Sequence, residues 1–363
     1  MEAPSLIVSL LAISDLMRLS SYFLSSAIFN VALALRILEV SHSARCRCYC
    51  PATQILIALF GKVTHFKGVN LSNAFFWFAR HGLPLVFRKS AFRKYCRRNR
   101  GTGFQATCQL GYKMDIVIGD TVDNHIGVYG IFEEATTKVI SSLAGKCSSF
   151  VDIGCNIGYY ACLFAHENPL KPLIAVDPNP LMSSRTQANL DLNKAQNVTV
   201  LDQGIGSEAG NLELNIPENR HSLASFAYVP ERGGDCRPVT ARVTTLSHVL
   251  DEYPMKDIFI KIDTEGFELN VFKGLEDRHV ADISFILFEL AGLNLKQAGY
   301  TPAELLGLPI FQQFHFYLVD DHAVKPLSKI ENPSFEEDVN VNILLVRKEG
   351  PGEVMIKDVH LVA

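Results

Sequence analysis

The sequence Ser149-Phe150-Val151-Asp152-Ile153-Gly154-Cys155-Asn156-Ile157-Gly158 reads as a strand running into a helix. An apolar run closed by Gly154 has the pattern of a buried strand, and helical periodicity takes over at 158–166. Downstream the alternation repeats. Residues 173–176 form a second strand that stops at Asp177, followed by a helix at 180–194 with Pro180 in its first turn. A third strand lies at 198–201, and extra strands at 211–216 and 237–243 mark an insertion. Then come a helix at 245–252, strands at 257–262 and 283–290 around a helix at 266–275, a helix at 302–308, and strands at 314–319 and 341–346. This order predicts an open, mostly parallel, doubly wound α/β sheet. Such sheets bind ligands at the carboxyl ends of their strands, where the strand order reverses.

The first strand-to-helix loop is Asp152-x-Gly154-x-x-x-Gly158, with Asn156 between the glycines. Dinucleotide folds carry G-x-G-x-x-G there, and glycines admit a pyrophosphate. An acid at the first position repels a pyrophosphate and attracts a cation or a hydrogen-bond donor. S-Adenosylmethionine carries a sulfonium, an ammonium and no phosphate. Gly154 and Gly158 are expected to let the backbone approach it closely. Asp177 follows Asp152 by 25 residues and ends the second strand, where a carboxylate accepts both ribose hydroxyls. The alternative is a tight turn, with Asp177 capping the helix that begins at Pro178-Asn179-Pro180.

These motifs resemble the FkbM-type methyltransferases. The residues that carry the resemblance are 150–159, Val176-Asp177-Pro178-Asn179-Pro180, Val243-Thr244-Thr245-Leu246, 285–290 and Ile260-Lys261-Ile262-Asp263-Thr264-Glu265-Gly266-Phe267-Glu268. The last is the most specific, because generic methyltransferases lack it. The resemblance covers about 120–347 and includes Gly130-Ile131-Phe132-Glu133. It implies a seven-stranded, Rossmann-like methyltransferase sheet with the last strand antiparallel, S-adenosylmethionine as cofactor, and O-methylation of a sugar, polyketide or other secondary product. By resemblance alone, Glu133 reaches the methionine ammonium. Two positions depart from the pattern: Ser247, where an Asp is common, and Cys155, where a small residue is usual.

Methyl transfer to oxygen requires an aligned hydroxyl and a group to relieve its proton. Asp263 ends the fourth strand, Glu265 and Glu268 share a face of the next helix, and Glu289 ends the fifth strand. Asp263, Glu265 and Glu268 are the catalytic candidates. Repulsion among carboxylates raises their pKa values, which suits a general base. The same carboxylates are also a hard-oxygen set for Mg²⁺ or simple helix caps. Lys261 is read as a strand residue pairing with one of these acids, and His221 as a rival base.

Composition sets the frame. Apolar residues make up 48% and charged residues 20%, which excludes disordered and collagen-like classes. The net charge of −4 hides an asymmetry: residues 1–114 carry 15 Lys and Arg against Glu2, Asp15 and Glu39. Residues 19–35 form an uncharged run of borderline length for a membrane span. Seven cations follow within 88–100, and Phe75-Phe76-Trp77-Phe78 lies just before them. This pattern suits a membrane surface. A nucleic-acid patch without a recognised motif and a plain helical subdomain are the rival readings. The start, Met1-Glu2-Ala3-Pro4-Ser5, lacks the basic region of a cleavable signal peptide, whereas the Arg-rich stretch after Val40 leaves a transit peptide open. Cys46, Cys48 and Cys50 have no second pair to complete a zinc site, and reversible palmitoylation is their sharper reading.

The expected organisation is therefore a basic, apolar, helical region at 1–114, a methyltransferase domain at 115–350 and a tail at 351–363. The protein is expected in the cytoplasm, with a small hydroxylated molecule as partner and a membrane surface as a second partner for residues 1–114. The alternatives are a nicotinamide-dependent oxidoreductase and a membrane-tethered cofactor-binding protein without turnover.

Overall fold

The computed structural model describes Cys96 and residues 99–218, 220–227, 235–320, 324–327 and 340–349. The chain divides into two units, Met1–Arg93 and Lys94–Ala363, and the first lies outside the described residues. So do the apolar run at 19–35, the Cys46, Cys48 and Cys50 triplet and the tail at 351–363. Among the described residues no helix is long and apolar enough to cross a membrane.

The described part opens on a hairpin of β1 (Gly103–Thr107) and β2 (Lys113–Val117), then α1 (Thr121–Tyr129) and α2 (Glu134–Ala144). Next come β3 (Ser149–Ile153), α3 (Tyr159–Glu167), β4 (Leu173–Asp177), α4 (Pro180–Leu192) and β5 (Val198–Asp202). An insertion forms a separate three-stranded sheet from β6 (Gly204–Ile205), β7 (Gly210–Pro217) and β8 (Cys236–Thr244), with β8 in the middle. The chain returns through α5 (Leu246–Glu252), β9 (Ile258–Ile262), α6 (Glu268–Lys273), α7 (Asp277–Val280) and β10 (Ile283–Ala291). It closes with α8 (Gly292–Gln297), α9 (Pro302–Leu306), β11 (Phe314–Val319), β12 (Val324–Pro326) and β13 (Asn340–Arg347).

The main sheet runs β12-β11-β13-β10-β9-β3-β4-β5. β5, β4, β3, β9 and β10 are mutually parallel, whereas β13 is antiparallel to both β10 and β11. The expected last antiparallel strand is thus present. The sheet has eight described strands rather than seven, because the three-residue β12 pairs with β11 at the edge. β3 and β9 are buried along their whole length, as parallel strands covered on both faces must be. Val151, Ile153, Ile260 and Ile262 meet Leu246, Val249, Leu269 and Phe272 of α5 and α6 on one face. The alternate residues turn the other way: Phe150 stacks on Phe164 of α3 at 4.9 Å and meets Phe259 at 5.4 Å. Asp152 and Lys261 lie on that second face, opposite each other in register.

Two boundaries move. The hairpin belongs to the sheet domain, so the division expected at 114 and 115 falls inside β2, and 103–107 is strand rather than helix. Phe104, Ala106, Met114 and Ile116 alternate inward, and the Lys113 and Asp115 N–H groups donate to Asn193, the C-cap of α4, and to Asn189 within it at 2.8 and 2.7 Å. The helix expected at 266–275 starts later, at Glu268. Glu265 and Gly266 have φ of 53° and 101°, and a left-handed pair cannot open an α-helix.

Candidate active site

A cleft opens at the carboxyl ends of β3, β4, β9 and β10, where the strand order reverses on either side of β3. Six of the expected site residues line it: Glu133, Gly154, Asn156, Asp177, Asp263 and Glu265. Asp152, Gly158 and Glu268 do not line it.

Asp177 ends β4. Its Oδ1 accepts from the Asn179 N–H at 2.9 Å and its Oδ2 from the Asn156 N–H at 2.8 Å. Burial pushes its carboxyl up to about 7 against those two bonds. Asn156 is left-handed at φ 52°, its carbonyl accepts from Thr186 Oγ1 at 2.6 Å, and its buried Oδ1 has no hydrogen-bond partner. Both Asp177 oxygens thus hold the turn, as the rival reading expects, although Asn179 and not Asp177 is the N-cap of α4; the Asn156 Oδ1 is left without a partner.

At both glycines a side chain would collide with the neighbouring backbone or helix. At Gly154, φ is +76° and a Cβ would come within 1.7 Å of the Asp263 carbonyl oxygen, so the glycine lets the β9 loop cross β3. At Gly158, φ is +79° and a Cβ would meet Thr186 Cγ2 at 2.8 Å, so this glycine seats α3 on α4. Asp152 points from β3 into the face covered by α3. Burial pushes its carboxyl up to about 6, with Lys261 opposing from the neighbouring strand.

The other end of the cleft collects charge. Lys261 is 5% exposed, lies 2.9 Å from Asp263 Oδ2, and sits over the Tyr160 ring at 4.9 Å. Burial alone would lower its pKa, but Asp263, Asp152 and Glu133 outweigh that and hold it above its ordinary value. Tyr160 donates its hydroxyl to Glu133 Oε2 at 2.8 Å. Burial, then Asp263, raises Glu133. Glu289 on β10 also lines the cleft. Burial pushes it well above the carboxylate range, with Asp263 and Glu265 adding repulsion. Glu265 Oε2 accepts from Asn294 Nδ2 at 2.9 Å.

Glu268 turns away from the cleft and ties the loop that carries Asp263. Its Oε1 accepts from the Thr264 N–H, the Thr264 hydroxyl and the Gly266 N–H at 2.9, 3.0 and 3.2 Å. The Mg²⁺ reading finds no donor set: among the described residues no three His, Cys, Asp or Glu side chains are grouped to hold a metal ion. His221, the rival base, lines the cleft from the insertion.

Sequence reasoning missed Tyr160, which had no flag beyond its place in the first turn of α3. Glu133, Asn156 and Glu265 are all left-handed and all line the cleft. Such strain clusters at functional sites, but only the asparagine hints at it in the sequence.

The sequence pattern of the methyltransferase FkbM domain matches residues 152–318. "Methyltransferase sdnD" of Sordaria araneosa is 30% identical over 179 residues, covering 41% of this chain and 69% of that protein. "Methyltransferase 1" of Beauveria bassiana is 29% identical over 160 residues, covering 39% of this chain and 64%, just under two thirds, of its own length. Among solved structures the chain resembles a SAM-dependent O-methyltransferase from Thermotoga maritima, with 11% identity, a TM-score of 0.34, and coverage of 68% of this chain and 78% of that one. It also resembles a Streptococcus mutans protein solved in complex with SAH, with 10% identity, a TM-score of 0.33, and coverage of 60% and 99%. With the domain pattern seated on the strands that build the cleft, and a relative 30% identical across more than two thirds of its length, the chain belongs to the FkbM family of S-adenosylmethionine-dependent methyltransferases.

Proposed function

We propose that the protein transfers a methyl group from S-adenosylmethionine to a hydroxyl of a small molecule such as a sugar, a polyketide or another secondary product. The observation that carries this reading is the pairing, in one cleft, of strand-end acceptors at Asp177 and Asn156 with a carboxylate cluster around Lys261. Family membership displaces the nicotinamide alternative.

The residues fit the cofactor. Asp177 would hold the ribose hydroxyls, the unpartnered Oδ1 of Asn156 offers one more acceptor, and Glu133 would take the methionine ammonium. Bound, S-adenosylmethionine supplies an electrophilic methyl carbon on a sulfonium. Asp263 accepts the proton of the attacking hydroxyl, with Lys261 fixing its orientation. Glu289 holds its proton more tightly than an ordinary carboxyl and can donate a hydrogen bond to the acceptor. Tyr160 and Glu133 close the wall behind Lys261 and keep water from it.

The test is matched acceptors. Alcohols and phenols should be methylated and the corresponding amines should not. Methylation of amines alone would overturn the oxygen assignment, and S-adenosylhomocysteine binding without any turnover would leave a binding protein.

Asp177 makes a separate prediction. Asp177→Ala should weaken S-adenosylhomocysteine binding by about 1.5–3 kcal/mol, the worth of a charged hydrogen bond. Affinity should also depend on pH. The folded carboxyl titrates at about 7, above the roughly 3.9 of an unfolded Asp. Its raised pKa stabilises the empty fold below pH ~4, and that stabilisation is lost as pH rises through 7. Hydroxyl donors favour the ionised form, so affinity should rise between pH 6 and pH 8, and Asp177→Asn should flatten the rise. Calorimetry at the two pH values reads both effects, and unchanged affinity in a folded Asp177→Ala protein contradicts the assignment.

A further inference from the structure

Residues 220–226 line the cleft from the insertion after β7, not from the main sheet, and they are held at fixed points. Asp120, the N-cap of α1, accepts from the Ser222 N–H at 3.1 Å. Ser225 Oγ donates to the Glu265 carbonyl at 2.9 Å, and the Ser225 backbone pairs in both directions with Asn215 of β7. The segment is a strap tied at Ser222 and Ser225, and Arg220 is joined to it through its carbonyl, which accepts from the Leu223 N–H at 3.0 Å.

The strap carries the charge that the floor lacks. The floor bears Glu133, Asp263, Glu265 and Glu289, and its one cation, Lys261, is committed to Asp263. Arg220 and His221 line the same cleft from the strap. Arg220 is exposed. A guanidinium offers five donors in a planar fork that matches a carboxylate. Between strap and floor the wall is apolar. Phe226 lies 5.0 Å from the Phe267 ring and packs so closely on Gly204 that a Cβ there would come within 2.7 Å of it.

We infer that the acceptor is an apolar, ring-bearing hydroxy acid: its carboxylate meets Arg220 at the strap, its ring lies along Phe226 and Phe267, and its hydroxyl reaches Asp263. The hydroxyl end rests on the proposed transfer reaction; the anion end stands on the strap alone. The cofactor also has a carboxylate, but its proposed acceptors, Asp177 and Asn156, lie at the end of β4 and on the loop after β3, while Arg220 belongs to the insertion.

The probes are 4-hydroxybenzoate and 4-hydroxycinnamate with their neutral amides, followed by ligand-observed NMR on the full chain loaded with S-adenosylhomocysteine. The acids should bind at least about tenfold more tightly than the amides, the scale of one charge-assisted pair. Arg220→Gln should erase that preference and Arg220→Lys should keep part of it. Melting temperature and S-adenosylhomocysteine affinity should stay unchanged in both variants. Equal binding of acids and amides, binding of neither, or an acid preference that survives in Arg220→Gln would overturn the proposal. Weakened S-adenosylhomocysteine binding in Arg220→Gln would assign the site to the cofactor's carboxylate and overturn it too. Acids that bind with the expected preference but are never methylated would defeat the transfer reading and leave the anion site standing.

Discussion

Asp263→Asn is expected to slow methyl transfer by roughly 10²–10⁴, the usual worth of general acid–base catalysis, with cofactor affinity retained. Asparagine keeps the shape of the side chain and still accepts a hydrogen bond from Lys261, but it cannot take a proton. The proposed cofactor acceptors Asp177 and Asn156 are on β4 and the β3 loop, so the substitution leaves them untouched. Glu268→Gln is the contrasting variant. Its carboxylate holds three donors of the loop and does not line the cleft, so the change should appear in the melting temperature before it appears in the rate. Single-turnover rates at saturating cofactor separate the two. A wild-type rate in Asp263→Asn would move the proton transfer elsewhere in the cleft, with Glu265 and His221 next in line.

Gly154→Ala should destabilise the fold by about 3–5 kcal/mol, at the top of the range for a single substitution. The added Cβ would sit 1.7 Å from the Asp263 carbonyl oxygen, a backbone atom that cannot rotate away. Because β3 and β9 are hydrogen-bonded neighbours, and the Asp263 N–H donates to the Ile153 carbonyl at 2.9 Å, relief requires parting the central strands. The left-handed φ of +76° adds strain for any residue with a Cβ. For a domain of this size the loss corresponds to roughly 6–20 °C in melting temperature. Thermal unfolding reads it, and a shift under 2 °C would contradict the packing account.

The central sheet was legible because its strands are buried on both faces and therefore read as continuous apolar runs, as in β3 and β9. The hairpin of β1 and β2 was missed because the stretch was judged by its basic composition, although Phe104, Ala106, Met114 and Ile116 alternate as a half-buried strand should. β12 is too short to leave a pattern.

The site divided along the same lines. Asp177 and Asp263 line the cleft because the topology delivers strand ends to it. Asp152 looked equivalent in the loop motif, yet the two-residue alternation of a strand turns it under α3. Glu265 and Glu268 are three apart, which predicts a shared helical face. The left-handed pair at Glu265 and Gly266 delays the helix and sends the two side chains apart. Lys261 was expected to pair with an acid, but its opposition to Asp152 depends on β3 and β9 being neighbours, which sequence order does not give.

The most direct test follows the methyl group itself. Wild-type protein with S-[methyl-³H]adenosylmethionine and an aromatic hydroxy acid should yield one S-adenosylhomocysteine per methylated acceptor, with fragmentation mass spectrometry locating the label on the hydroxyl oxygen. Label on nitrogen or carbon, or S-adenosylhomocysteine released without a methylated acceptor, would contradict the account.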